Sequence, residues 1–221
     1  MTPIGFNLFG GRAPQAALPR IEEYWTAEPV ALTAAHNMIA LSPTPEEYRY
    51  FLVPLALPGV LRLKRAHAVV NTGGVGTSSF AMALYTAQLP IFDRTNPVNA
   101  TSPLACTRLA ILGAKSGVST DVQRFNATLT KEMELDPSRH QYFLAFHGGD
   151  TDAQWFCSYA PTGASGLVAG KASFFTREKG TALADFPTRL TVDTNTVLWE
   201  RPVVCLRSAL GMFLNGDRSE D

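Results

Sequence analysis

The residues in this chain whose types could do chemistry are few and scattered. Gly73-Gly-Val-Gly-Thr-Ser-Ser79 is a glycine-rich turn after a strand-like run, and such a turn can present backbone N–H groups to a phosphate. A P-loop carries Lys after its last glycine where this chain has Thr77, and a dinucleotide-binding turn opens a helix, whereas Phe80 to Tyr85 reads as strand. A hairpin turn is therefore expected. His147-Gly-Gly-Asp-Thr-Asp152 gathers an imidazole and two carboxylates at one loop tip, a set able to ligate calcium or a transition metal. Asp and Gly are also what a tight connection between strands demands, and that reading is preferred. His36, His67 and His140 fall in no ligand spacing. Gly163-Ala-Ser-Gly166 is not the G-x-S-x-G elbow of a serine hydrolase, and no pair of carboxylates is singled out for glycoside hydrolysis. The expectation is a protein that is not an enzyme, with no catalytic residue, no cofactor and no metal.

What remains are aromatic side chains. Tyr85, Trp155, Tyr159 and Trp199 are the candidates for stacking against the apolar faces of a sugar, with packing in the core as the default for each. Cys106, Cys157 and Cys205 are odd in number and widely spaced, which argues against a disulfide framework or a metal clip. They read as buried thiols packing as small hydrophobes.

The elements that must carry these residues are strands. Residues 1–47 hold Pro3, Pro14, Pro19, Pro29, Pro43 and Pro45 interleaved with Phe6, Phe9, Tyr24 and Trp25. Proline at that density blocks both helices and ladders, and the aromatics are too apolar for a solvated tail. An extended anchoring arm is expected, packed on its own domain or on a neighbouring subunit, with room for one short helix around Arg20 to Tyr24. From residue 48 to 210 the texture is β. Tyr50 to Pro58 is a strand interrupted by proline, hence at an edge or bulge. Leu61, Leu63 and the run after Ala66 set one face against Arg62, Lys64 and His67, with imperfect period two, and residues 79–88 read as its return strand in a hairpin. Residues 104–112 are apolar, as strand or short helix. Residues 122–135 alternate at length, and Gln141-Tyr-Phe-Leu-Ala-Phe146 is apolar on both faces and so central. Further strands fall at 154–159, 172–177, 189–193 and 201–207, and residues 211–221 form a solvated tail. Such spacing, with Gly/Pro/Asn turns and no amphipathic helix, predicts an all-β antiparallel sandwich.

Composition narrows the partners. In 221 residues Lys plus Arg and Asp plus Glu are 19 each, so no long-range field draws nucleic acid or an anionic membrane. The charged fraction, 17%, is low against a usual ~25%, which leaves a neutral surface suited to contact with other subunits. The opening residues lack the basic and apolar segments of a signal peptide, and no run approaches the ~18 apolar residues of a membrane span.

Two stretches carry a family resemblance. Arg49-Tyr-Phe-Leu-Val-Pro-Leu-Ala-Leu-Pro-Gly59, Arg65-Ala-His-Ala-Val-Val70, the glycine-rich turn and Phe80-Ala-Met-Ala-Leu-Tyr85 form the first; Ala127-Thr-Leu-Thr-Lys-Glu-Met-Glu-Leu-Asp-Pro137 with Gln141-Tyr-Phe-Leu-Ala-Phe146 form the second. Together they resemble a jelly-roll-like module of tailed-bacteriophage structural proteins. The resemblance implies a virion subunit of tail-fibre, head-fibre or capsid-decoration type, homotrimeric and bound to other virion proteins, sometimes contacting a host surface glycan. It carries no catalytic signature.

Overall fold

The computed structural model describes residues 18–26, 36–40, 49–72, 76–88, 105–119, 122–148, 153–159, 173–179, 185–198 and 200–210. Within them there is no helix, and the strands run in the order β1 (Arg20–Ile21), β2 (Glu23–Trp25), β3 (His36–Ala40), β4 (Arg49–Leu55), β5 (Val60–Thr72), β6 (Ser78–Gln88), β7 (Ala105–Val118), β8 (Gln123–Leu135), β9 (His140–Gly148), β10 (Ala153–Tyr159), β11 (Ser173–Lys179), β12 (Arg189–Leu198), β13 (Glu200–Pro202) and β14 (Val204–Arg207).

Strands β3 to β10 make two four-stranded antiparallel sheets. Sheet A runs β3-β10-β5-β8 and sheet B runs β4-β9-β6-β7. The chain passes from one sheet to the other at nearly every step, which is the connectivity of a jelly roll. β11 and β12 then bridge β4 to β7, so that sheet B closes on itself as a six-stranded barrel. Sheet A is extended by β13 beside β10, by β14 and β1 beside β5, and by β2 beside β14.

The faces follow from side-chain alternation. Between the sheets lies a core of Phe51, Val53, Leu63, Ala66, Val70, Phe80, Met82, Phe125, Leu144, Phe146, Trp155 and Leu206, among others. The opposite faces of β4, β6 and β9 turn into the barrel with Tyr50, Leu52, Ala81, Ala83, Tyr85, Phe143 and Ala145, where Cys106, Phe186, Leu190 and Val192 meet them. Gln141 to Phe146 is therefore apolar on both faces because β9 is a wall shared by two cores. The small side chains of Ala81, Ala83 and Ala145 leave room in the narrow barrel for Tyr50, Tyr85, Phe143 and Phe186.

Several expectations change. Residues 61–70 and 79–88 do not form a hairpin: β5 pairs in sheet A and β6 in sheet B. Alternation records which face of a strand is buried and carries no information on its neighbour. The imperfect period in β5 is a register shift between Leu63 and Arg65, a bulge that turns Lys64 and Arg65 outward and restores the inward phase at Ala66. No helix forms around Arg20 to Tyr24; that stretch is β1 and β2. Of residues 104–112, those from Ala105 on are strand, part of β7, and Val122, 65% exposed, stands just outside β8.

Of residues 1–47, those described are strands of sheet A, so this part of the arm packs on its own domain. The Val60 N–H donates to the Pro19 carbonyl, the Thr26 N–H to Val204 and the Ser208 N–H to Glu22. The remainder of the arm and the tail at 211–221 lie outside the described residues. β4 is paired on both sides, with β9 and β11, in the closed barrel, so the edge expected for its proline is not found; Pro54 sits opposite Phe143 of β9. Its carbonyl accepts from the guanidinium of Arg201 on β13. Burial lowers the pKa of that guanidinium, while proximity to Tyr24 opposes the shift.

Candidate functional site

The outward side of sheet A carries several buried polar atoms without hydrogen-bond partners. Directly opposed residues on neighbouring strands share a face, and the pairings β2–β14–β5–β8 place Trp25, Cys205, His67 and Asn126 in one row and Glu23, Arg207, Arg65 and Thr128 in the next. The inward neighbours of these residues, Val204, Leu206, Ala66, Ala68, Phe125 and Ala127, lie in the inter-sheet core, which fixes the rows on the outside. His67 Nδ1 lies 2.8 Å from Asn126 Oδ1. A proton on Nδ1 donated to that oxygen leaves Nε2 as an acceptor, and His67 Nε2 is buried without a hydrogen-bond partner, as are Arg65 Nε and Asn71 Oδ1. Glu23 takes the indole N–H of Trp25 on one carboxylate oxygen and lies 2.8 Å from Arg207 Nε with the other, so it orients the indole and offsets one arginine of the facing pair. Cys205 is buried and in no disulfide, flanked across the ladder by Trp25 and His67.

A second cluster fills the barrel. Phe186, 1% exposed, enters the lumen with its ring centroid 5.3 Å from Tyr50, 6.5 Å from Tyr85 and 6.3 Å from His147. Three consecutive carbonyls around it are held from the wall: Asp185 by the Tyr50 hydroxyl, Phe186 by Arg108, and Pro187 by the Tyr85 hydroxyl at 2.6 Å. His147, 3% exposed, stacks 5.0 Å from Tyr50, and neither of its ring nitrogens has a partner. Burial holds this imidazole below its ordinary pKa, with the charge of Asp185 pulling partly the other way. The cluster reads as a filled core with a polar rim, where each tyrosine hydroxyl finds a backbone acceptor.

The aromatic candidates fall as follows. Tyr85 is fully buried in the barrel and Trp155 fully buried between the sheets, the latter edge-on to Phe80 at 5.4 Å and Phe146 at 4.9 Å. Neither offers a ring face to a sugar. Tyr159 closes β10 opposite Glu200; its side chain and the whole of Trp199 lie outside the described residues, as do Asp150, Asp152 and Ser165. His147 faces the barrel instead of a loop tip. Among the described residues no group of three or more His, Cys, Asp or Glu is placed to hold a metal. Cys106 and Cys157 pack in the two cores as expected of small hydrophobes. The half-buried tryptophan on an outer face is Trp25. It sits in the proline-rich segment, and the only sequence signal for its role is a tryptophan too costly to leave unpacked in an arm.

Fold and site thus define a jelly-roll β-sandwich with a polar outer sheet. No protein-family model matches the chain, and no curated protein matches it.

Proposed function

We propose that this chain is a non-catalytic structural subunit of a larger assembly, with a bacteriophage virion as its setting, acting as a fibre, decoration or adaptor protein on tail or capsid. The observation that carries this reading is the pair Leu109 and Ile111, 41% and 42% exposed and two residues apart on β7. Apolar side chains grouped on the outside of a neutral protein favour burial against another subunit. The jelly-roll connectivity supports the same reading by analogy of fold, since capsid and lectin domains use it. The partners on this reading are further copies, as a homotrimer, and other virion proteins.

The test is the mass of the purified protein by light scattering, for the full chain, for a chain lacking residues 1–17, and for L109E/I111E. Truncation stops at residue 17 because β1 to β3 belong to sheet A. A trimer or larger assembly that dissociates in L109E/I111E is expected; a monomer in all three overturns the reading. A second reading, a module binding host glycan or receptor, is favoured by the half-buried indole of Trp25 on the outer face of sheet A, and it is compatible with the first.

A further inference from the structure

The two cores of this protein are closed to different degrees. β6 and β9, the wall between them, pair without a break from Phe80 and Gly148 to Gln88 and His140. The strands that close the barrel are held more lightly. β12 meets β7 at Arg189, Leu190 and Thr191, opposite Thr107, Cys106 and Ala105, and β11 meets β4 at Phe174, Phe175 and Lys179 across an irregularity in register. Residues 185–188, which lead into β12, are fastened mostly by side chains. The Tyr50 and Tyr85 hydroxyls donate to the Asp185 and Pro187 carbonyls, and Arg108 donates to Phe186 from its guanidinium and to Thr188 from its N–H. Units with short ladders and few partners are the ones that open first.

Beneath this cover lies a group that is costly to charge in place. His147 stands opposite Ala81 on the barrel face, buried, with neither ring nitrogen partnered. Tyr50 of β4 and Phe186 lie against it, at 5.0 Å and 6.3 Å between ring centroids. Asp185 favours its protonation, though less than burial opposes it. Arg108 of β7 reaches the Phe186 carbonyl beside it with a charge of the same sign as an imidazolium. Ala81 of β6 and Thr176, the described side chain of β11, are neutral. An imidazolium here would carry two N–H donors with no acceptor in place, and water reaches them once Phe186 lifts away.

We propose that β11, β12 and residues 185–188 form a flap over the barrel face of sheet B, and that a proton taken up by His147 opens it while the core between the sheets stays closed. The inference is independent of the virion and glycan readings. With the flap open the imidazole meets water and titrates as an ordinary histidine, so each pH unit below about 6.5 raises the open population by at most about tenfold. The cysteines report where opening occurs. Cys106 lies in the barrel core directly across the ladder from Leu190 of the flap, whereas Cys157 lies in the core between the sheets, and both are buried thiols.

The experiment exposes the full-length protein to 4,4′-dithiodipyridine, which reacts with thiols below neutral pH, from pH 8 to 5. Initial labelling of each cysteine is read by peptide mass and divided by the rate for the urea-unfolded chain at the same pH. Between pH 7.5 and 5.5 the Cys106 rate should rise at least fivefold, with Cys157 at least tenfold slower than Cys106 at pH 5.5. His147→Phe and His147→Gln, which differ in size and polarity and do not titrate, should both flatten the Cys106 profile; thermal melts show which of them is folded, and either one suffices. Cys157 keeping pace with Cys106 means that the whole protein opens, and overturns the flap. A Cys106 rate that does not rise in acid, or that rises as steeply in a folded His147 variant, overturns the role of that proton.

Discussion

Replacing His147 with phenylalanine separates a buried, neutral imidazole from the rest of the protein's acid response. In the native barrel the ring is 3% exposed with both nitrogens unpartnered, and burial depresses its pKa below the ordinary histidine value of about 6.5. An unfolded chain therefore takes up a proton at a pH where the native state refuses it, and native stability falls as pH drops below 6.5 toward the folded value. The slope approaches but does not exceed about 1.4 kcal/mol per pH unit for one proton. From pH 6.5 to 5 the ceiling is roughly 2 kcal/mol, or about 4–8 °C of melting temperature for a chain of this size. In His147→Phe that component vanishes, because a phenyl ring does not titrate and fits the aromatic surroundings of Tyr50 and Phe186. At pH 8, where wild-type His147 is neutral, the variant should be as stable or more stable by about 1 kcal/mol, since no ring nitrogen is left without a partner. The assay is a series of thermal melts of both proteins from pH 8 to 5, plotted as the difference in melting temperature. Groups shared by both proteins cancel in this difference. It should grow in favour of the variant as pH falls; a flat difference would falsify the account of His147 as a buried neutral base.

Gly59→Ala probes the docking of the first strands: its Cβ would overlap the Pro19 carbonyl oxygen, so β1 must shift, and chemical denaturation should show a loss of about 1–3 kcal/mol. Phe186→Ala empties the barrel and should cost about 3–5 kcal/mol, whereas Tyr85→Phe, which loses only the hydroxyl bonded to Pro187, should cost about 1–3 kcal/mol by the same measurement. In the turn between β8 and β9, Asp136 accepts from the Ser138 hydroxyl at 2.6 Å and N–H at 2.9 Å, bonds that lower its carboxyl pKa. Its contribution is present above the ordinary carboxylate pKa and lost as pH falls through the lowered one, so Asp136→Ala should destabilise by about 0.5–1 kcal/mol at pH 7. Melts at pH 2 should show that gap closing.

The strands themselves were readable because burial imposes an alternation that any partner would impose. β8 announces itself through Phe125, Ala127 and Leu135, and β9 through a run with no polar face. Pairing was not readable on the same grounds: β5 and β6 look like a hairpin in sequence, yet β5 is paired with β8, β10 and β14, and β6 with β7 and β9. β1 and β2, at two and three residues, are too short to leave a period at all and exist because β5 and β14 offer them ladders. The candidate site suffered most. Tyr85 and Trp155 drew notice as aromatics and proved to be core, while Arg65, His67 and Asn126 are ordinary outward residues in sequence. Only the cross-strand pairing of β5 with β8 and β14 brings them into rows with Arg207, Glu23 and Trp25.

β14 lies between β5 and β2, and its Val204 exchanges hydrogen bonds with Thr26, whose side chain also reaches Pro202 across 176 positions of chain. During synthesis the earliest strands therefore leave the ribosome with no partner to meet. β2 waits for residues 205–207 and β3 for β10, while β5 remains half paired. Sheet A is completed only when β14 emerges, and until then the core between the sheets lacks Val204 and Leu206. A ribosome that stalls late, or a protease that removes β14, leaves β2 without its ladder.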